Sequence, residues 1–330
     1  MTLNITATTL RYVCQVSDRR LCRIVRDGTT ELYTDQANKS TILQCKDARM
    51  AVTYHGIGEA RGIRTDAWLV DVLKKSSPVM NPIKKVLEEF REQSSEWMDN
   101  LRHNSQGNDA DYRHTFIFAG WVLNNPIIFY VSNYENLKTR EETSYPWLEF
   151  KGTFSRPILG STNPCSLHAG GFHTALRKAD IELLKKVIQK PGAQPKDVIN
   201  IMVRAIQYVA KSSEYVSENC ISTLLLPGQP GVECDYHSPL GTSASYMPNI
   251  VGKFSMTDIW IFAGEGTPPW HIRKAIPHQL TKAKIIKELN NLPAGYKTGD
   301  ILPQVLDPQV EKFLRALPHG INIKEIEDAL

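Results

Sequence analysis

The chain has 330 residues, of which 42% are hydrophobic and 22% are charged. This length suits one large domain, or a domain with an extension. Lysine and arginine outnumber aspartate and glutamate by 39 to 35, and so small and dispersed an excess does not indicate a nucleic-acid partner.

The sequence shows no signal for a membrane or for an oxidising compartment. No run reaches the ~18 uninterrupted apolar residues of a membrane span, and the start lacks the basic and apolar regions of a signal peptide. The six cysteines show no paired spacing, which is typical of reduced thiols. We therefore expect a cytoplasmic protein without a membrane partner.

The first sixty residues predict mainly β-structure. Strand composition is found at residues 3–9, 12–16, 39–43 and 50–54. The second run ends at Asp18, and the 26–28 segment, Arg-Asp-Gly, predicts a hairpin turn. The fourth run leads into His55-Gly56, and His55 could either line a substrate pocket or end a strand.

Helices and strands then alternate along the chain. Helices are predicted over residues 65–103, with a second start at Asn81-Pro82, and over 177–189 and 195–217. Strands are predicted over 114–132 and 220–226, and the charged segment 135–146 is expected to be exposed. This order predicts an α+β fold in which two sheets stack between two helical layers.

The composition changes near residue 264. From residue 265 onward the chain is rich in proline, lysine and short helical patterns. We therefore predict a domain over residues 1–264 and a helical, proline-containing C-terminal extension over residues 265–330.

Thr2 is the candidate nucleophile. If Met1 is removed, the free α-amine of Thr2 lies beside its own hydroxyl and can serve as its base. An α-amine titrates near pH 8, so a modest downward shift of its pKa leaves it largely neutral. A Met-Thr start is also common in proteins without such chemistry, so the rest of the pattern matters.

Residues farther along the chain complete a family pattern. An Asp closes the second strand with an Arg two residues later, a Lys opens the third strand, and Gly56 stands in a turn before a helix. With Thr2 and the later acid-x-x-Ser spacing, this order resembles the proteasome-type N-terminal-nucleophile (Ntn) hydrolases. The matching residues are Thr2, Asp18, Arg20, Lys39, Gly56, Glu214 and Ser217. The resemblance implies a four-layer αββα Ntn-hydrolase sandwich and covers most of residues 2–263.

The resemblance also implies roles for these residues. Lys39 would lower the pKa of the Thr2 hydroxyl and amine by its charge, and Asp18 would keep Lys39 charged. The Gly56 N–H would donate to the oxyanion. Glu214 and Ser217 would orient the Thr2 amine, although Glu214 is longer than the usual Asp and Glu218 replaces the usual glycine.

The function expected from these features is cleavage of amide bonds through an acyl-enzyme on Thr2, as in a threonine-type peptidase. Two alternatives stay open: a catalytically silent protein that binds or scaffolds, and a small-molecule amidase with the same nucleophile. The resemblance implies a homo-oligomer acting on a peptide or amide substrate, and leaves open an ATPase partner. No cofactor or metal is expected, because the groups Cys165, His168, His173 and Cys234, His237 lack the paired spacing of zinc ligands.

Overall fold

The chain is described here from a computed structural model. The structure describes residues 2–24, 30–35, 37–60, 62–76, 78, 80–103, 112–139, 141–157, 165–228, 232–239, 243–245, 248–251, 258–259, 261–263, 276–277 and 301–303. The predicted turn at residues 26–28 and most of the predicted extension lie outside the described residues.

The described residues form 22 strands and four α-helices. The strands of the N-terminal half are β1 (Leu3–Thr9), β2 (Val13–Asp18), β3 (Leu21–Ile24), β4 (Thr30–Thr34), β5 (Thr41–Gln44), β6 (Ala48–His55), β7 (Glu59–Ala60), β8 (Ile63–Arg64), β9 (Thr115–Val122), β10 (Asn125–Ser132) and β11 (Glu135–Asn136). The later strands are β12 (Glu141–Glu142), β13 (Lys151–Ser155), β14 (Cys165–Gly171), β15 (Cys220–Leu225), β16 (Val232–His237), β17 (Ser243–Ser245), β18 (Asn249–Val251), β19 (Asp258–Ile259), β20 (Ile261–Ala263), β21 (Ile276–Pro277) and β22 (Ile301–Pro303). The helices are α1 (Thr65–Lys75), α2 (Ile83–His103), α3 (Lys178–Gln189) and α4 (Pro195–Ala210).

Two six-stranded sheets carry most of the structure. The first sheet has the order β14-β1-β2-β15-β16-β17, and the second has the order β13-β10-β9-β6-β5-β18. Nearly all described pairs are antiparallel, and the parallel exceptions are β18 with β5 and β3 with β7. A four-stranded sheet, β4-β3-β7-β8, and three two-stranded sheets complete the described part of the fold.

One face of the first sheet packs on α3 and α4. In β1 the side chains of Leu3, Ile5 and Ala7 join a buried apolar cluster with residues of α4. Helix α4 begins at Pro195, a favoured first helical position, and its apolar side chains repeat at helical spacing. Each fully buried aliphatic side chain contributes about 1.5–3 kcal/mol, so this cluster fixes β1 against the helices.

The second sheet has its own core with α1 and α2. Met50, Val52 and Tyr54 of β6 belong to this core, together with Phe90 and Trp97 of α2. Trp97 stacks on Trp68 of α1 with ring centroids 4.4 Å apart. Because successive strand side chains point to opposite faces, Thr53 and His55 of β6 project away from this core.

Polar side chains lie where the two sheets meet. The buried residues Thr2, Asn4, Thr6 and Thr8 occupy the face of the β1 segment opposite Leu3 and Ile5. Strand β1 contacts β6, β9 and β10 of the second sheet. The region between the sheets is thus polar at β1, and it holds the candidate site.

The chain divides into two units. The first comprises Met1–Ser243 and Pro248–Gly252, and the second comprises Ala244–Met247 and Lys253–Leu330. Strands β19–β22 of the second unit form two antiparallel pairs. The domain boundary at residue 264 stays a prediction.

The expected four-layer αββα Ntn-hydrolase sandwich is wrong for this chain. The described residues are mostly antiparallel sheet with four α-helices of 11 to 21 residues. Strand β3 pairs with β4 and β7 in a separate sheet, which a two-sheet sandwich does not contain. The physical reason is that the backbone groups of these strands find their hydrogen bonds in local pairs instead of extending the large sheets.

Three local predictions also need correction. The helix predicted over residues 195–217 ends at Ala210. Lys39 precedes β5 instead of opening it. Glu135, expected in an exposed segment, is buried.

None of the described helices combines the length and apolarity needed to cross a membrane.

Candidate active site

Thr2, Lys39 and Asp18 form a buried chain of polar contacts. The Lys39 ammonium donates to Thr2 Oγ1 at 2.8 Å and to Asp18 Oδ1 at 3.2 Å. The side chains of Lys39 and Asp18 are 0% exposed, and Thr2 is 1% exposed. A cation is thus held against the hydroxyl in a region without bulk water, where electrostatic effects are strongest.

Three strand ends converge to form this chain. Thr2 directly precedes β1, Asp18 ends β2, and Lys39 lies two residues before β5. Strands β1 and β2 are neighbours in the first sheet, whereas β5 belongs to the second. The ion pair therefore joins the two sheets at their polar boundary.

Backbone amides hold the Asp18 carboxylate. Asp18 Oδ1 accepts from the Leu3 N–H at 2.9 Å, and Oδ2 accepts from the Arg20 N–H at 2.9 Å and the Ser217 N–H at 3.3 Å. A buried carboxylate with several N–H donors is stabilised in its charged form. Asp18 is therefore a fixed counter-ion for Lys39 and ties β1 to the segment before β15.

Burial lowers the pKa of the Lys39 ammonium below its ordinary value, and the charge and hydrogen bond of Asp18 oppose that shift. A lysine with a lowered pKa carries a proton that it can release more readily. The arrangement can stabilise negative charge on Thr2 Oγ1, and it can also exchange a proton with that oxygen. Both are functions required beside a hydroxyl nucleophile.

Gly56 is required by close packing. Its φ is +115°, and a Cβ there would lie 2.3 Å from the Arg113 carbonyl oxygen. The following amide, Ile57 N–H, donates to His114 Nδ1 at 3.0 Å. The glycine is thus explained by the backbone of residues 113 and 114, and its oxyanion role stays a prediction.

Glu214 and Ser217 make other contacts in the structure, and their role in orienting the Thr2 amine stays a prediction. Glu214 is exposed, and its backbone carbonyl accepts a hydrogen bond from the Arg20 guanidinium. Ser217 is buried beside Asp18, but its Oγ accepts from the Asn219 N–H at 3.1 Å. Of the predicted residues, Thr2, Asp18, Lys39 and Ser217 are therefore brought together, and the described contacts of Glu214 lie elsewhere.

Sequence reasoning missed a second buried polar pair. His55 Nε2 lies 3.0 Å and 3.1 Å from the two carboxylate oxygens of Glu135. Its Nδ1 lies 3.1 Å from Asn4 Nδ2. Glu135 stands in a charged run that looked exposed, so the useful signal was the strand alternation that turns His55 and Thr53 away from the apolar core.

Arg20 has a structural role beside the site. Its guanidinium forms a two-pronged bond with Asp35, at 2.6 Å and 2.8 Å, and donates to the Glu214 carbonyl at 2.5 Å. Paired, planar contacts of this kind fix the backbone on both sides. Arg20 thus ties the segment after β4 to the segment before β15.

The Cys and His groupings of the sequence do not converge in the described part of the chain. His237 Nε2 bonds Ser222 Oγ at 2.8 Å, and Cys234 contacts Thr223. Among the described residues, no three His, Cys, Asp or Glu side chains are placed to hold a metal ion.

Comparisons with known proteins give matches among solved structures. No protein-family model matches the chain, and no curated protein matches it. A mutant of Anbu from Hyphomicrobium sp. strain MC1 is 12% identical, with a TM-score of 0.46, covering 72% of this chain and 89% of that chain. Anbu from Yersinia bercovieri, described as an ancestral beta-subunit, is 10% identical, with a TM-score of 0.44, covering 68% and 82%. Another Anbu structure from Hyphomicrobium sp. strain MC1 has 12% identity and a TM-score of 0.41.

These matches correct the resemblance drawn from the sequence. The similar structures are Anbu chains, which are proteasome-like but distinct from the classical Ntn proteasome β subunits. The assignment to the proteasome-type Ntn-hydrolase family is therefore wrong. At these identities and TM-scores the likeness says nothing about activity or substrate.

Proposed function

We propose that this chain is an amide-bond hydrolase that uses Thr2 as its nucleophile after removal of Met1. The observation that supports this proposal is the 2.8 Å contact between Lys39 Nζ and Thr2 Oγ1, both buried and backed by Asp18. Met1 itself lies outside the described residues, and its removal stays a prediction.

The chemistry follows from the groups at this site. In the mature chain the free α-amine takes the proton of Thr2 Oγ, which attacks the carbonyl carbon of an amide. Lys39 stabilises the charge that develops on Oγ. The C–N bond breaks, the leaving amine takes the proton from the α-ammonium, and the chain keeps an ester on Thr2. Water then attacks the ester carbonyl carbon and gives a proton to the α-amine. The bond between that carbon and Oγ breaks, the carboxylic acid product leaves, and Thr2 Oγ regains its proton from the α-ammonium.

Burial of the Lys39 ammonium is unfavourable for the free energy of folding unless other contacts compensate for the lost hydration. Burying an ammonium costs several kcal/mol unless it is paired and hydrogen-bonded. Lys39 donates one of its hydrogen bonds to the hydroxyl of Thr2. A cation at this position stabilises the negative charge that develops on the hydroxyl oxygen when it loses its proton. The arrangement is thus better suited to a nucleophile than to a purely structural contact.

The substrate class is proposed as peptides, with small-molecule amides as the alternative within the same chemistry. A cytoplasmic location and a homo-oligomeric assembly are part of the proposal. The rival is a silent scaffold, and it gains support from the exposed side chain of Glu214, which does not reach Thr2 in the described contacts.

The test uses paired variants of Thr2. Release of amine from a mixed-sequence fluorogenic peptide set is measured for the parent, Thr2→Ala and Thr2→Ser. We expect no activity above background for Thr2→Ala and partial activity for Thr2→Ser, which keeps the hydroxyl and the amine. Thr139→Ala, at an exposed site, is the matched control. Parental rates for Thr2→Ala, or no activity in the parent on peptides and amides, would contradict the proposal.

A further inference from the structure

A buried histidine–carboxylate pair lies next to the strand that carries Thr2. The side chains of His55 and Glu135 are 1% and 8% exposed. Both oxygens of Glu135 lie within hydrogen-bond distance of His55 Nε2. Burying a carboxylate without a hydrogen-bonding partner costs free energy, and the contact with His55 offsets this cost for Glu135.

The other ring nitrogen of His55 reaches β1. Its Nδ1 lies 3.1 Å from the Nδ2 of Asn4, which is 0% exposed. Asn4 is two residues from Thr2, and alternate residues of a strand share a face. Thr2 and Asn4 therefore project to the same side of β1, one against Lys39 and the other against His55.

Two consecutive glycines allow His55 to lie this close to the β1 edge. A Cβ at Gly170 would lie 2.4 Å from His55 Cε1, and a Cβ at Gly171 would lie 1.8 Å from the Thr2 carbonyl oxygen. Gly170 pairs with Asn4 and Gly171 with Leu3 in the β1–β14 ladder. The missing side chains leave the space that the imidazole and the Thr2 carbonyl occupy.

The backbone of Thr2 is fixed by the same strand pair. The Phe172 N–H, directly after β14, donates to the Thr2 carbonyl at 2.9 Å. The His55 ring is anchored at both nitrogens, so it cannot turn without losing the contact to Glu135 or the contact to Asn4. A shift of β1 along its ladder would move Thr2 Oγ1 relative to Lys39.

We propose that His55 is a positioning residue for Thr2, and that Glu135 holds the imidazole which fixes Asn4 and the start of β1. This inference rests on the proposed function of Thr2 as a nucleophile. His55 acts through Asn4 and the β14 glycines, and it takes no proton from the substrate. Loss of this support leaves the nucleophile present but displaced, and displacement by about 1 Å lowers a rate by about 100-fold.

The first readout is the rate of acylation of Thr2. A β-lactone probe is opened when Thr2 Oγ attacks its carbonyl: the ring C–O bond breaks, and the released alkoxide takes the proton. The limiting rate constant and the half-saturating probe concentration are measured for Glu135→Gln and Asn4→Ala. Glu141→Gln is the matched control, since Glu141 is exposed on the strand paired with β11.

We expect the limiting rate to fall about 10- to 100-fold in Glu135→Gln and Asn4→Ala. The half-saturating concentration should stay within about twofold, because the probe-binding surface is unchanged. A general loss of folding would instead lower the fraction of chain that reacts. Parental limiting rates in both variants would overturn the positioning role.

The second readout needs no reactivity. Hydrogen exchange at the Phe172 amide reports the bond to the Thr2 carbonyl. We expect exchange to rise at least about tenfold in Glu135→Gln and Asn4→Ala and to stay unchanged in Glu141→Gln. A parent that does not react with the probe, combined with faster exchange in the two variants, rejects the proposed function and supports the positioning role. Parental exchange in both variants overturns it.

Discussion

Replacement of Lys39 by methionine removes the cation at the site and keeps most of the buried stem. In the parent, Lys39 Nζ lies 2.8 Å from Thr2 Oγ1 and is 0% exposed. Methionine has a similar length and no charge, so the variant isolates the electrostatic contribution from the packing.

The expected loss follows from Coulomb's law. At an effective dielectric constant of ~20, two unit charges 2.8 Å apart interact by about 6 kcal/mol. Thr2 Oγ carries roughly half a charge during attack, which reduces the differential stabilisation to about 3 kcal/mol. We therefore expect the limiting rate of acylation to fall by about 100-fold or more.

The same variant changes stability less than the loss of a buried ion pair suggests. Asp18 keeps three backbone N–H donors, from Leu3, Arg20 and Ser217. The desolvation cost of the ammonium also disappears. The free energy of unfolding should fall by about 1–3 kcal/mol.

The assay combines two measurements on each variant. The acylation rate with the β-lactone probe gives the effect on chemistry, and urea denaturation gives the free energy of unfolding. Lys46→Met is the matched control, because Lys46 is exposed in the turn before β6. A Lys39→Met variant that acylates at the parental rate would refute the electrostatic reasoning, whatever its stability.

Three further outcomes are expected. Asp18→Asn should lower the acylation rate and destabilise the chain by about 2–4 kcal/mol, because Lys39 loses its counter-ion; parental urea midpoints would contradict this. Gly171→Ala should lower the melting temperature and the reactivity together, because the Cβ would lie 1.8 Å from the Thr2 carbonyl oxygen, whereas Gly152→Ala, with open space around its Cβ, is the control. Burial, with a smaller contribution from the charge of His55, holds the pKa of His114 well below its ordinary value of 6.5. As the pH drops, the unfolded chain therefore binds a proton at this histidine before the folded chain does. The free energy of unfolding should then fall as the pH drops below about 6.5 toward the folded-state pKa. Urea midpoints across this range should fall less steeply in His114→Gln, and equal slopes would count against the buried neutral imidazole.

The sequence predicted the strands around the site well. Residues 3–9 form β1 as expected, and the strands predicted over residues 114–132 correspond to β9 and β10. Alternation of apolar and polar side chains and the presence of turn residues are local features of the sequence. They predict strands without any information about the tertiary fold. The placement of Lys39 beside Thr2 and Asp18 was implied by the family resemblance and not by any local pattern. In the structure Lys39 Nζ lies 2.8 Å from Thr2 Oγ1 and 3.2 Å from Asp18 Oδ1, and the catalytic roles of the three residues stay a prediction.

Other features depend on contacts that no local pattern contains. Glu135 was expected to be exposed because its neighbours are charged, yet it is buried opposite His55, which lies 80 residues away. The separate sheet of β3, β4, β7 and β8 depends on pairings between short strands that have weak sequence signals. Glu214 matched a spacing, but the spacing does not determine where an exposed side chain points.

The intact mass of the purified chain, before and after the β-lactone probe, tests the central claim most directly. The proposal predicts the intact mass of a chain that begins at Thr2. It also predicts that each such chain gains the mass of one probe molecule. It also predicts that Thr2→Ala gains no probe. Retention of Met1 in most molecules, or equal probe uptake by Thr2→Ala, would show that Thr2 is not the nucleophile.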